Sequence, residues 1–194
     1  METSHPNTRA VQITHIARDV LYETEKPYAA DFSAPEKTGN HIFEVKDILI
    51  KDARPNKDNF RLEKNGFCLL NSPILATFES LSYNESDVLA YYQQMEALVL
   101  ERFPEYSKVV VLEHQLRKRD VGYPEAVENT YNQPARLVHH DFTTRGLVLR
   151  MKLSFPNKVN EYINKDMDFL NIWRVLSGPN NDWPLGICDY TYRP

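Results

Sequence analysis

PARLVHHDFTTRGLVLRM, residues 134–151, is the stretch on which the reading of this chain turns. At its centre stand His139, His140 and Asp141. In an extended backbone, residues two apart face the same side, separated by roughly 6.6 Å along the strand. His139 and Asp141 are therefore expected to converge on one space, with His140 facing away to pack or to support them. Imidazole plus carboxylate suits iron(II), and a second histidine would complete a facial triad that leaves adjacent positions open. H-x-D is a short pattern that also arises by chance, and a one-residue slip would turn His140 inward instead. Gly146 to Met151 reads as further strand. Arg145 and Arg150, close behind the pair, are candidates for an anionic co-substrate, although each is equally an ordinary surface charge.

Working outward, residues 160–167 suggest a short polar helix and FLNIWRVL, 169–176, a strand. Asn171 and Trp173 would share a face of that strand, the indole as core or pocket floor and the amide as a polar contact. Ser177 to Asn181 is a turn signal, and a last element begins at Pro184. Upstream, Lys108 to His114 is β-branched and reads as a central strand, with His114 and Arg117 at its end. Residues 119–133 read as a surface loop. Val88, Tyr91, Tyr92, Met95, Leu98 and Val99 recur at three and four residues, predicting a helix from about Ser86 to Phe103 that Pro104 ends. Gly66 to Leu70 suggests a buried strand, residues 41–50 another, and Val11 to Thr14 a first one. Residues 25–40 have no sustained period and should wrap the surface, and residues 1–10 should fray.

Composition narrows the classes. The 194 residues suit a single domain that buries roughly 70% of its unfolded surface. A net charge of -4 gives no footprint for nucleic acid. Two cysteines, Cys68 and Cys188, have neither zinc nor redox-motif spacing, so a reducing, cytoplasmic setting is expected. No apolar run is long enough for a membrane span or a signal peptide. Hydrolase elbows and nucleotide-binding glycine loops are absent from the sequence.

Several stretches together are more specific than H-x-D. VLEHQLRKR (111–119), PARLVHHDFT (134–143) and FLNIWRVLSGPNNDWPLGICDYTYRP (169–194) resemble the fungal and bacterial oxygenase-like family that includes the cephamycin methoxylation protein and gibberellin-desaturase-like proteins. KPY at 26–28, GF at 66–67 and YY at 91–92 fall in the same order. The resemblance, which covers about residues 20–194, implies a mainly β fold with flanking helices, a double-stranded β-helix of jelly-roll or cupin-like type. It implies hydroxylase or desaturase chemistry on a small secondary metabolite, dependent on Fe(II) and 2-oxoglutarate. His139 and Asp141 match its first two iron ligands, and His114 and Arg117 match a histidine and arginine of an apolar strand. Asn171, Trp173, Arg174, Pro184, Leu185, Cys188 and Asp189 match a second signature, in which Val175 replaces a common proline.

The same resemblance implies that the distal iron histidine and the arginine for the far carboxylate of 2-oxoglutarate lie beyond residue 194. The single domain 1–194 would then be an incomplete β-helix, with sheet edges to be covered by an oligomer or a partner. Arg145, Arg150 or Arg174 would have to substitute for the arginine, and His114 is the foremost upstream histidine for a third ligand. Weak iron binding and poor turnover of 2-oxoglutarate are expected of this length, whereas a form of the family's usual length is expected to bind iron and turn over the co-substrate. The alternatives are a non-catalytic descendant, a metal-independent isomerase-like protein, or a fragment of a longer enzyme.

Overall fold

Residues 8–29, 39–73, 75–120, 131–178, 180–181 and 183–192 are described by this computed structural model. Strands β1 (Thr8–Ile16) and β2 (Phe43–Lys51) pair antiparallel, in register from Thr8 opposite Lys51 to Ile16 opposite Phe43. β1 is longer than its sequence signal, Val11 to Thr14, because nine consecutive cross-strand pairs carry the polar positions along, and β2 starts two residues later than the predicted strand 41–50 and ends one residue later. Ala17 N–H donates to the Ile42 carbonyl at 2.8 Å and extends the pairing. Buried Asn40 pins the connection: its Oδ1 accepts from Tyr28 N–H at 2.8 Å, its Nδ2 donates to the Lys26 carbonyl at 3.0 Å, and its own carbonyl accepts from the Tyr22 hydroxyl. The remaining residues of the predicted wrap, 30–38, lie outside the described residues, as do 1–7 of the expected fraying terminus.

Helices follow: α1 (Leu62–Asn65), α2 (Phe78–Tyr83), α3 (Glu85–Arg102), α4 (Thr144–Ser154) and α5 (Val159–Tyr162). Thr77 caps α2 through a reciprocal bond with Ser80, and the Asn84 side chain accepts from Ser86 and Asp87 N–H at the start of α3, satisfying donors that a helix start leaves unpaired. The predicted long helix is therefore present, ending one residue before Phe103.

Four predicted strands are corrected. Gly66 does not open a strand but closes α1 in the left-handed conformation (φ 77°), a position that favours glycine. The chain beyond it is irregular, with Phe67 stacked on Phe60. Residues 108–114 form no ladder: Val111 N–H donates to the Glu96 carboxylate of α3 at 3.0 Å instead, and backbone pairing appears only at Arg117 beside Asn132. The stretch 146–151 is helical in α4, because Thr143 caps it by accepting from Gly146 N–H at 3.1 Å and Leu147 and Met151, one turn apart, turn inward. Residues 169–176 are extended without strand partners among the described residues. The expected turn is present, with positive φ at Gly178 and Asn180. Of the predicted loop 119–133, residues 121–130 lie outside the described residues, and its neck is clamped by Gln133 Nε2 and the Tyr131 hydroxyl on Asp120.

The core is shallow. Among the described residues its buried apolar members are Leu81 of α2, Met95 and Val99 of α3, Met151 of α4, and Leu116. Accessible surface is 16083 Å², whereas a closed monomer of this 22.7 kDa mass exposes roughly 9,500 Å² and its unfolded chain roughly 33,000 Å². About half of the surface is thus buried, less than the roughly 70% expected from length. Among the described residues, the β-helix predicted from resemblance is represented by one two-stranded sheet, not a closed barrel. Phe43, Val45 and Leu49, alternate residues of one β2 face, are exposed. Among the described residues no helix is long and apolar enough to cross a membrane.

Two outcomes follow from this packing. Met95, 2% exposed, fills the α3 core, so Met95→Ala is expected to cost about 2–5 kcal/mol in chemical denaturation. Trp173 is 47% exposed, which overturns its expected burial, and Trp173→Ala should fall well below that range. A second outcome concerns Tyr106, whose hydroxyl donates to Asp168 at 2.7 Å. Burial, then this hydrogen bond and the charges of Asp168 and Glu105, push its phenol up to about 12. Because the folded value lies above the unfolded one, near 10, its contribution to stability is complete below pH 10 and disappears as pH rises through about 12. Tyrosinate absorbance titration should show a late-ionising component that Tyr106→Phe removes, and an unchanged titration would contradict the assignment.

Candidate metal centre

The segment carrying His139 and Asp141 hangs on the outer edge of β1. Leu137 forms a parallel bridge with Thr14, and Val138 N–H donates to the Thr14 carbonyl at 3.0 Å. This short pairing keeps the following residues extended until Thr143 starts α4. His139 Nδ1 lies 2.7 Å from the Leu137 carbonyl, which can only accept, so Nδ1 carries a proton. In the neutral ring Nε2 then presents a lone pair. It faces Asp141 Oδ1 at 3.2 Å. The other carboxylate oxygen, Oδ2, accepts from Asn171 Nδ2 across 30 residues of sequence.

Imidazole plus carboxylate, side by side, is a donor set suited to iron(II). The two side chains are 47% and 43% exposed, so the remaining coordination positions of an ion here would face solvent. Among the described residues no group of three or more His, Cys, Asp or Glu side chains is disposed to hold a metal. His139 and Asp141 thus offer one nitrogen and one carboxylate oxygen side by side, a donor pair that suits a divalent ion. His140 is exposed beside them.

His114 is not disposed to serve as the third. Its Nε2 meets the Leu81 carbonyl at 3.3 Å and its Nδ1 meets the Tyr92 hydroxyl at 2.8 Å, so both ring nitrogens are engaged. Burial, followed by the Glu113 charge, raises the Tyr92 phenol above its usual range, keeping it a donor. His114 instead lines an open cavity of about 410 Å³ with Leu81, Ser82, Tyr83, Asn84, Glu85 and Val88. Sequence reasoning did not find Tyr92 as its partner, although the helical period had placed Tyr92 on the inner face of α3. Arg117 is tied to the Gln133 carbonyl at 2.8 Å and to Gln115 at 2.6 Å.

The three arginines expected at a co-substrate site do not sit on one strand. Arg145 and Arg150 belong to α4 and point roughly 140° apart around its axis. Arg150 is ion-paired with Glu113 at 2.6 Å, and its Nε is buried without a hydrogen-bond partner. Arg145 is exposed in the first turn and has no ion pair among the described residues, while Arg174 is half-buried. The C-terminal signature is anchored elsewhere: buried Asn65 donates through Nδ2 to both Asp189 oxygens at 3.1 Å. Cys188 and Cys68 are free thiols, and burial raises the Cys68 thiol.

Comparison with known proteins points to a family. The chain is 27% identical over 153 residues to Oxidoreductase AN1597 of Emericella nidulans, covering 76% of this chain and 50% of that protein. It is 27% identical over 158 residues to Hydroxylase/desaturase CTB9 of Cercospora beticola, covering 76% and 47%. It is 30% identical over 146 residues to the Fe(II)/2-oxoglutarate-dependent dioxygenase nvfI of Aspergillus novofumigatus, covering 73% and 50%. The chain spans about half the length of the curated relatives it matches. In structure it superimposes on the iron and alpha-ketoglutarate-dependent endoperoxidase NvfI with a TM-score of 0.69 at 21% identity, over 82% of this chain and 56% of that one. Its fold is therefore that of an iron/2-oxoglutarate oxygenase, with only two strands of its own sheet formed. A family model described as "Oxidoreductase/YMDC permease-like domain" matches residues 16–193, and with the fungal oxygenases among its relatives the chain belongs to this oxidoreductase family.

Proposed function

We propose that this chain carries the first two iron ligands, His139 and Asp141, of a 2-oxoglutarate-dependent oxygenase that oxidatively tailors a small organic metabolite. The observation that carries the reading is the mutual aim of His139 Nε2 and Asp141 Oδ1 at 3.2 Å, with the ring turned by its bond to the Leu137 carbonyl. The names of three relatives, a dioxygenase and two hydroxylase/desaturases, support the reaction class. Bound iron(II) would supply dioxygen activation, with 2-oxoglutarate as the source of electrons.

The chain's own residues do the placing. Leu137 fixes the imidazole tautomer, and Asp141 presents one oxygen toward the shared space. Arg145, which has no ion pair among the described residues, can offer its charge to an anionic co-substrate, whereas the Arg150 guanidinium is already neutralised by Glu113. Exposed Phe142 and half-exposed Trp173 provide aromatic surface for an apolar substrate. Hydroxylation and desaturation both begin with hydrogen removal from carbon, so substrate placement decides between them.

Anaerobic Fe(II) titration of the purified protein, followed by oxygen-dependent succinate release, tests this reading. Two described protein ligands should bind iron weakly, and succinate should form slowly. His139→Ala and Asp141→Ala should each abolish both. Iron binding that is indifferent to both substitutions would overturn the reading in favour of a metal-independent or non-catalytic use of the fold.

A further inference from the structure

The Asp141 carboxylate has two oxygens, and the structure treats them differently. Oδ1 faces His139 Nε2 at 3.2 Å, whereas Oδ2 accepts from the Asn171 side-chain amide. The donor is fixed by chemistry, since an ionised carboxylate only accepts and an amide oxygen turned toward it would be repelled. The two residues come from separate segments, and these are held side by side by the Phe142 and Phe169 rings, whose centroids lie 6.1 Å apart. Asn171 therefore reaches Asp141 from a neighbouring segment whose position does not depend on the hydrogen bond alone.

We propose that Asn171 is a positioning residue for the metal ligand Asp141, occupying Oδ2 so that the carboxylate offers a single oxygen, Oδ1, to the ion beside His139. The inference rests on the iron-site reading above and adds a role to a residue outside the ligand set. A carboxylate with both oxygens free can chelate a divalent ion with both or rotate away from it. Either choice alters how many positions remain for co-substrate and dioxygen. Donation to Oδ2 removes the first option and restrains the second, which is how outer hydrogen bonds orient metal ligands. The site is half open to water, so the amide acts by being held in place where water would come and go.

Co(II) binding, read by calorimetry and by the visible d–d bands of the bound ion, tests the assignment in the purified full chain. Asn171→Ala and the near-isosteric Asn171→Leu both remove the donor, and circular dichroism checks that each is folded. Both are expected to weaken Co(II) binding roughly tenfold or more and to change the d–d envelope as the second oxygen becomes free to coordinate. Asn171→Gln, which keeps the amide on a longer side chain, should recover part of the affinity. If His139→Ala loses the ion while folded Asn171→Leu keeps wild-type affinity and spectrum, the role of Asn171 is refuted and the iron site stands. If His139→Ala binds Co(II) as the wild type does, the iron-site reading fails and the positioning role fails with it.

Discussion

The hydrogen bond from Val138 N–H to the Thr14 carbonyl, 3.0 Å long, is the contact on which the candidate centre depends. It attaches the H-x-D segment to β1, whose other edge is already committed to β2 over nine residue pairs. From there the order runs outward along the chain: Leu137 bridges Thr14 and orients the His139 ring, His139 faces Asp141, and Asp141 takes the Asn171 amide. Each link uses a backbone or side-chain acceptor that can play only one part. A strand edge presents a row of unpaired groups, and here that open row is used to seat a site.

Because the apolar core is shallow, polar contacts carry much of the placement. Asn40 closes the connection between the strands with four hydrogen bonds, two through its side chain and two through its own backbone. Asn65 holds Asp189, while Asp189 in turn accepts from Thr191 N–H and hydroxyl. These bonds, the backbone one first, keep the Asp189 carboxyl below its usual range. Lys108 reaches the Tyr162 hydroxyl at 2.6 Å and Tyr106 reaches Asp168, so two tyrosines join the end of α3 to the α5 region. Such bonds give modest net stability but definite geometry. Half-buried and exposed aromatics such as Phe43 and Trp173 add little where no layer covers them.

What the sequence made legible was local. The α3 period, its polar first turn, the Ser177 to Asn181 turn and the two N-terminal strands all follow from contacts within a few residues or across one hairpin-like pair. The same is true of the H-x-D geometry, which needs only two residues of extended chain. Residues 66–70, 108–114 and 169–176 looked like strands because their side chains suit a sheet, but a strand also needs a partner at its edge. Val111 gives its N–H to Glu96, and Gly66 is required for a left-handed helix end. For α4 the signal was present: Thr143 three residues ahead of Gly146, and Leu147 one turn before Met151. The β-branched and leucine-rich composition masked it. Asn171 was placed as a polar wall residue, and its bond to Asp141 joins residues 30 apart, which no local pattern encodes.

The helical state of α4 also changes the electrostatics of the proposed site. As a strand, 146–151 would have continued the extended chain beyond the histidine pair and put Arg145 and Arg150, five residues apart, on opposite faces. As a helix it separates them around the axis and delivers Arg150 to Glu113, with which it forms a 2.6 Å ion pair. Recruiting Arg150 to a co-substrate would strip Glu113 of its partner and leave a second anion near the incoming one. Arg145 carries no such cost, and it stands in the first turn, four residues after Asp141, where the helix dipole is positive and the net field favours an anion. A dicarboxylate that reached both the ion and this turn would be held at two points by residues of a single short segment, 139–145. That segment is in turn fixed to the sheet through Thr14, so the same backbone pairing that places His139 and Asp141, the iron ligands proposed above, also places Arg145 relative to them.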